Sequence, residues 1–565
     1  MKKLSLFLIL NSPFLILNSF AQSPNWLWAN SAGGTDFDII YSVAPDAAGN
    51  VIAVGDFWSS SIIFGSDTLT NASIVSYFDL FIVKYDSAGN VLWANSAGGA
   101  NDDRGQSVTT DAFGNSIVVG TFYSDTITFG TTKLANASVG CGTGCRDMYV
   151  VKFDAAGNVL WAKSASGTLA DGAGSVTADA LGNIIVTGNF NSPAITFGST
   201  TLTNVSGSYD LYVVKYDAAG NVLWANSYGG ASWSPYGTLT SDASGNIILA
   251  GAFLNASLTF GSTTLVNAGG WDFFIAKFND AGNVLWAKSA GGNGSDGAST
   301  VTTDATGNII ALGSFGSPSI TFGSITLTNP PYGAQFIVKY DAAGNVLWAN
   351  SFNEVYAYSV TTVTTDDSGN IIAAGIFNDT TATIGSTTLT NVGIGSTSDL
   401  VVVKYDSTGN VLWAKSAGGL YNDQPNFITV NASGNIIVTG VFYSPTITIG
   451  STTLTNANSI GTSYDLFIAM LDSATITGNN VIEPFAKRVL LFPNPANNYF
   501  TIALKNTNKE VEVTITDIAG KIIYTTTATE TQKIEVNTKD FAEGVYLVRV
   551  QTEELSKTEK LIVTK

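Results

Sequence analysis

D-S-A-G-N-V-L-W-A, residues 86–94, is one of seven near-copies of a single phrase, each ending at a tryptophan: Trp28, Trp93, Trp161, Trp224, Trp286, Trp348 and Trp413. Successive tryptophans lie 65, 68, 63, 62, 62 and 65 residues apart. A fixed period of that size marks an array of stacked supersecondary units. The first full period divides into four strands: a (residues 42–45), b (50–57), c (79–85) and d (90–95). D-A-A-G-N (46–50) joins a to b, and D-S-A-G-N (86–90) joins c to d. Each suits a type I turn followed by a left-handed residue. The Asp carboxylate can bond the backbone two residues on, and Gly takes the positive φ that other residues resist.

In N-V-L-W-A, Val91 and Trp93 face one way, Leu92 and Ala94 the other. Both faces are apolar, so both are expected to be covered. A four-stranded sheet covered on both faces by copies of itself is a propeller blade. The ends of the array are out of phase. The chain opens on a strand d (26–31) with no a, b or c before it. It closes on an a (427–430), b (435–442) and c (465–471) with no d after them. Joining the two ends completes a seventh blade, an offset a linear solenoid would not use. The reading is all-β: a seven-bladed β-propeller of four-stranded blades, closed by its N-terminal strand. Each repeated Trp then docks one blade on the next, burying on the order of 200 Å², worth up to about 5 kcal/mol. The strand-c lysines (Lys84, Lys152, Lys215, Lys277, Lys339, Lys404) also read as structural, with Met470 in the seventh copy.

Charge is uneven. Residues 22–484 carry 12 Lys+Arg against 33 Asp+Glu, a net −21, whereas the tail from Phe485 has 11 basic and 10 acidic residues. An acidic array repels phosphate backbones and argues against nucleic acid. Arg104 and Arg146 are the only arginines before the tail. Cys141 and Cys145, in C-G-T-G-C, read as a local disulfide in an exported protein. The chain has no histidine, which removes the commonest general base and zinc ligand.

Residues 1–21 read as a signal peptide: Lys2 and Lys3, an apolar stretch, then Ser19-Phe20-Ala21. No later segment could span a membrane. Residues 22–473 form the propeller and 474–486 a linker. Residues 487–565 form a small immunoglobulin-like β-sandwich with clean alternation, Val511, Val513 and Ile515 inward and Glu512, Thr514 and Thr516 outward.

The copies D-A-A-G-N-V-L-W-A and D-x-x-G-N-I-I-V-T-G, with I-T-F-G-S-T-T-L-T-N between them, resemble the bacterial seven-bladed β-propeller repeat family. The tail elements P-N-P (493–495), D-I-A-G-K (517–521), G-V-Y-L-V-R-V (544–550) and K-L-I-V-T-K (560–565) resemble, together and in order, the C-terminal sorting domain of the type IX secretion system of Bacteroidota. That resemblance implies Sec export, recognition by the type IX machinery, and surface attachment or release once the tail is removed.

The a–b and c–d turns are nearly uniform; the b–c and d–a connections on the opposite face carry the variation. Binding residues concentrate on such loops. Aromatics outside the repeat register are the ligand-binding candidates: Trp58, Tyr123 and Tyr443 after the G-x-F of strand b, and Trp233, Tyr236, Tyr356, Tyr358 and Tyr421 on d–a loops. Such side chains beside Asp and Asn suit sugar rings. Asp-rich loops at 101–104 and 294–296 offer oxygens to calcium but lack the spacing of a dedicated calcium loop; no other cofactor, and no protein-held metal, is expected. No residue is singled out as catalytic. The leading expectation is a secreted or surface propeller that binds glycan or protein without catalysis. The alternatives are a polysaccharide-degrading enzyme using paired carboxylates and a structural surface component without a discrete ligand.

Overall fold

The computed structural model describes residues 24–73, 77–137, 145–205, 207–229, 237–329, 334–353, 359–393, 397–458, 462–473, 489–492, 496–504, 511–518, 520–528, 533–551 and 556–564. All regular structure among them is β. Two compact units separate between Ala474 and Thr475.

The larger unit repeats one antiparallel pattern. Its first sheet runs Asp38–Pro45, Val51–Phe57, Asp79–Tyr85, Val91–Ala97, in that spatial order, and serves as strands a to d. Among the described residues the pattern occurs seven times. In the last sheet, Asp423–Val430, Ile436–Phe442 and Asp465–Leu471 supply a, b and c, and Trp26–Ala32 supplies d. Trp28 pairs with Met470 and Ala29 with Ala469, and across the seam the Asp472 N–H donates to the Asn25 carbonyl and the Asn25 N–H to Asp472 Oδ1, each at 2.9 Å. Each strand a lies against strand a of the next sheet, and Asp423–Val430 returns to Asp38–Pro45, so the series is closed. This is a β-propeller repeat fold.

Strand a is longer than 42–45 and carries a bulge between Ile40 and Ser42. The I-T-F-G-S-T-T-L-T-N segment, left without an element in the four-strand reading, is a hairpin: Ser61–Phe64 pairs with Asp67–Thr70 around Gly65-Ser66, with Gly65 at φ 58°. A two-residue loop opening on a left-handed Gly has the twist such a hairpin needs. Phe64 tucks under it, 4.9 Å from the ring of Phe81. Gly55 makes room for that ring: a Cβ there would stand 2.8 Å from Phe81 and 1.9 Å from the Ile39 carbonyl.

The core is a set of interfaces. One cluster joins Val54, Leu80 and Ile82 of the first sheet to Val118, Tyr149 and Val151 of the second; another joins Ile437, Leu466 and Ile468 of the last to Val51, Ala53 and Val83 of the first. The tryptophans bridge these junctions. Trp28 Nε1 donates to the Ser87 carbonyl at 3.0 Å, Trp93 to Ala155 at 3.1 Å and Trp224 to Asp280 at 3.1 Å, each in the c–d turn of the next sheet. The turn glycine lies on the indole: a Cβ at Gly89 would come within 2.7 Å of Trp28. With φ at 87° as well, Gly89 is constrained twice over.

The face opposite the tryptophan differs from expectation. Leu92 is 51% exposed and its six equivalents 39–52%. Sheets closed around a ring of inner strands diverge outward, so strand d is covered only where the next turn reaches it.

The strand-c lysines pair inside their own sheets. Lys84 Nζ lies 2.9 Å from Asp46 Oδ2, with 2% and 4% of the side chains exposed, and the other five lysines repeat the contact with Asp111, Asp179, Asp242, Asp304 and Asp366 at 2.8–3.0 Å. In the seventh copy Asn431 replaces the aspartate where Met470 replaces the lysine. Losing both charges together avoids stranding one of them in the interior.

The smaller unit has two sheets: Val489–Phe492, Tyr499–Leu504 and Lys533–Asn537; and Ile522–Ala528, Val511–Asp517, Gly544–Gln551 and Ser556–Val563. Phe500, Ile502 and Val536 of the first share a core with Val513, Ile515, Val548 and Leu561 of the second. Val511, Val513 and Ile515 are buried and Glu512 is exposed.

Lys152→Met is expected to destabilise the larger unit by about 3–5 kcal/mol, the cost of one unpaired buried charge. Adding Asp111→Asn, which recreates the Asn431/Met470 combination, should recover most of it in thermal or urea unfolding. A double variant no better than the single one would refute the pairing.

Candidate functional site

Backbone geometry builds the loop face where sheets meet. The N–H of the first Asp in strand a donates to the carbonyl just before strand c of the preceding sheet: Asp38 to Tyr464 at 3.2 Å, Asp103 to Phe78 at 2.7 Å, Asp171 to Arg146 at 2.7 Å. The residue after G-x-F then donates to the residue before strand a: Trp58 to Phe37 and Tyr123 to Asp102, each at 2.9 Å, and Tyr443 to Asn422 at 3.0 Å. Three side-chain positions per sheet therefore follow one another around the rim.

From the seventh sheet into the first they form one aromatic track. Tyr443 meets Tyr464 edge-on at 5.0 Å, Tyr464 meets Phe37 at 4.9 Å, and Trp58 lies between Phe37 at 5.6 Å and Phe78 at 5.1 Å. The track continues into the second sheet through cations. Arg104 stands 4.8 Å over the ring of Phe78, and Arg146 lies 5.9 Å from the ring of Tyr123 and donates to its hydroxyl at 3.0 Å. Both arginines of the larger unit thus stand on this track. Buried Trp58 Nε1 has no protein acceptor.

Beneath the track, Asp56 is fully buried and accepts the Gly105 N–H at 2.8 Å. Burial holds its carboxyl well above the usual range, against the opposing pull of Arg104. Burial, then the charge of Asp56, also raises the Tyr41 phenol. Asp102 Oδ2 lies 3.4 Å from Arg104 Nη2, while its Oδ1 accepts the Phe78 N–H at 3.0 Å.

Of the sequence candidates, Trp58, Tyr123 and Tyr443 stand on the track. Tyr421 is exposed and anchored through its N–H to Ser444 Oγ at 2.8 Å. Trp233, Tyr236, Tyr356, Tyr358 and Cys141 lie outside the described residues. Cys145 is buried and disulfide-bonded. Sequence reasoning passed over Phe37, Phe78, Tyr464, Asp56 and Tyr41. The signal was there: the residue before the strand-c Asp is Phe78, Arg146, Tyr209, Trp271, Ser398 or Tyr464, a position that varies within an otherwise uniform segment. In the Asp-rich loops, Asp103 and Asp296 bind Ser124 Oγ and Ser317 Oγ, and among the described residues no three metal-ligating side chains converge.

Carboxyl pairs lie at three of the boundaries between sheets. Asp79 faces Asp103, Asp399 faces Asp423 and Asp465 faces Asp38, all of them at most 2% exposed, so they are closed to a sugar. Asp79, Asp399 and Asp465 each turn a buried Oδ1 without a partner towards Gly98, Gly418 and Gly33, where a Cβ would fall about 2 Å from the carboxyl. Burial first, with the facing carboxylate adding to it in Asp103, Asp423 and Asp465, pushes Asp38, Asp79 and Asp399 to about 6, and Asp103, Asp423 and Asp465 to about 7.

The comparisons with known proteins divide along the two units. Residues 490–564 match the secretion system C-terminal sorting domain. The sorting domain sends this chain through type IX export to the cell surface or the medium. This chain resembles an uncharacterized WD repeat-containing protein of Acanthamoeba polyphaga mimivirus, 27% identical over 63% of this chain and 31% of that protein. It also resembles the regulatory protein FlaEY of Caulobacter vibrioides, 25% identical over 33% of this chain and 19% of that one. The chain spans less than a third of either relative. Similar solved structures include a DUF4221 family member from Bacteroides vulgatus (10% identity, 62% of this chain, 92% of that one, TM-score 0.31) and the Synechocystis apocarotenoid oxygenase (11%, 79%, 97%, 0.34). No helix among the described residues is long and apolar enough to cross a membrane.

The carboxyl pairs set the expected pH dependence. A carboxyl whose folded pKa is raised stabilises the fold fully below its unfolded value near 4 and loses that contribution as pH climbs through 6–7. The turn aspartates act oppositely. Burial raises Asp304, but bonds from Thr306, Asn308 and Lys339 outweigh it and bring it to about 2, so its contribution is lost only as pH falls towards 2. The melting temperature should therefore peak near pH 5 and fall towards pH 8, and Asp79→Asn should flatten the alkaline fall. A flat profile from pH 5 to 8 would contradict this.

Proposed function

We propose that this chain is an extracellular seven-bladed β-propeller that binds glycan through the track from Tyr443 to Arg146 and is carried out by an immunoglobulin-like sorting sandwich. The observation that carries the reading is the track itself. Three adjacent sheets depart together from an otherwise repeated pattern, and their departures touch one another. Aromatic rings offer π-faces to sugar C–H groups. Arg104 and Arg146 supply donors beside them, and Asp102 supplies an acceptor. Seven a-to-d sheets and the seam between Trp28 and Met470 support the blade count. The signal peptide at 1–21 and the removal of the sorting domain at the surface complete the proposed route.

Sugar contact through a few stacked rings is worth little per residue, so avidity or an extended chain would be needed for tight binding. This suits adhesion or display better than turnover.

In a glycan-array screen of the full chain, Trp58→Ala combined with Tyr123→Ala should weaken every hit at least tenfold, with the melting temperature held near that of the parent. Hits unmoved by the double change would place the ligand elsewhere. Silence across neutral and acidic glycans, with capture of a defined surface protein through the same residues, would convert the reading to protein adhesion.

A further inference from the structure

The sorting domain has one sheet whose two faces differ sharply. In the sheet Ile522–Ala528, Val511–Asp517, Gly544–Gln551, Ser556–Val563, the inward set is Val513, Ile515, Tyr546, Val548, Val550 and Leu561, all buried. The outward set should be polar on an antiparallel sheet that faces water. It is polar only at one end. There Glu512 pairs with Thr527 and Gln551, and Thr514 with Thr525 and Arg549.

At the other end the outward residues are apolar. Thr516 pairs with Ile522 on one side and Leu547 on the other, and Val545 pairs with Ile562. Ile518 directly follows the central strand, whose last residue, Asp517, pairs with Tyr546. Ile518 is 79% exposed, Ile522 61%, Leu547 41% and Val545 37%. Three neighbouring strands thus bring four large aliphatic side chains to one end of an open face, bordered by Lys521, Arg549 and Lys560 and by Asp517 and Glu543. Scattered exposed aliphatics are ordinary; a contiguous group with a charged rim marks an interaction surface.

We propose that the Ile518–Ile522–Val545–Leu547 patch is the surface by which the sorting domain docks on a protein of the type IX export machinery. The occupant follows from two observations. The domain that carries the patch is a sorting signal, so a protein of the machinery must read it. The rim carries both signs, so the receptor should present an apolar surface with a mixed charged edge that orients the encounter while the aliphatic centre holds it. The inference rests on the export route and not on the glycan reading, so either can fail alone.

The test is export of the full chain in a host with an active type IX system, measured as protein on the surface or in the medium against protein retained in the periplasm. Deleting residues 487–565 should abolish export and sets the floor. Ile518→Asp and Leu547→Asp should each cut export at least tenfold, Leu547→Ile should restore it, and Thr525→Asp at the polar end should be neutral. Ile518 lies in a turn and is almost fully exposed, so its change cannot act through the core; unchanged melting of the purified full chain verifies this. Normal export of Ile518→Asp and Leu547→Asp overturns the proposal, as does an equal loss in Thr525→Asp. If the deletion itself is exported normally, the export route fails first, and the docking proposal with it.

Discussion

No four-stranded sheet in this propeller can bury both faces by itself, and the rest of the larger unit follows from how each borrows its neighbour. The borrowing is anchored where a tryptophan on strand d reaches the c–d turn of the next sheet. The indole N–H takes that turn's carbonyl, as Trp93 does with Ala155 at 3.1 Å, and the ring occupies the space where a turn side chain would stand. Turn and tryptophan therefore constrain each other. The turn needs a glycine for its positive φ, and the tryptophan needs the same glycine to have no Cβ. A change at either residue disturbs two sheets, which explains why the phrase is so uniform along the chain.

The period made the frame legible in the sequence. Turn aspartates, docking tryptophans and the out-of-phase ends repeat or fail to repeat at a readable spacing, so sheet order followed from counting. The hairpin between b and c carries a signal too, a Gly-Ser loop between alternating residues, but its two strands pair with each other, outside the four-strand sheet that the period defines. The Lys–Asp pairs were visible only as half of a pattern until the joint loss at Asn431 and Met470 was set beside them. Leu92 and its equivalents are apolar yet exposed, because periodicity reports which residues share a side and not how far apart the neighbouring sheets have diverged at that radius.

The candidate site was harder to read for a related reason. Trp58, Tyr123 and Tyr443 stand at one repeat position and could be aligned. Phe37, Phe78 and Tyr464 stand at two other positions, and Asp56 lies beneath them. They become one surface only because the carbonyl before strand c accepts the N–H of the next strand a, a bond across the sheet boundary that a linear reading does not contain. The carboxyl pairs lie at the same boundary, so the loop face is held by groups whose charge depends on pH while the sheets beneath are held by apolar burial.

Departures from the repeat are of two physical kinds. Some of those in the seventh sheet have a closure reason. Its c–d turn is replaced by the two ends of the array, with Asn25 bonded to Asp472, and it does without the Lys–Asp pair. Trp58, Phe78, Arg104 and Asp56 lie in sheets whose turns, tryptophans and ion pairs are complete, so closure asks nothing of them. Fully burying Asp56 has a stability cost, and placing both arginines of an acidic unit on one sheet, the second, serves no repeated contact. A cost without a structural return, confined to one arc of a symmetric frame, is what a binding surface added to a finished scaffold would leave.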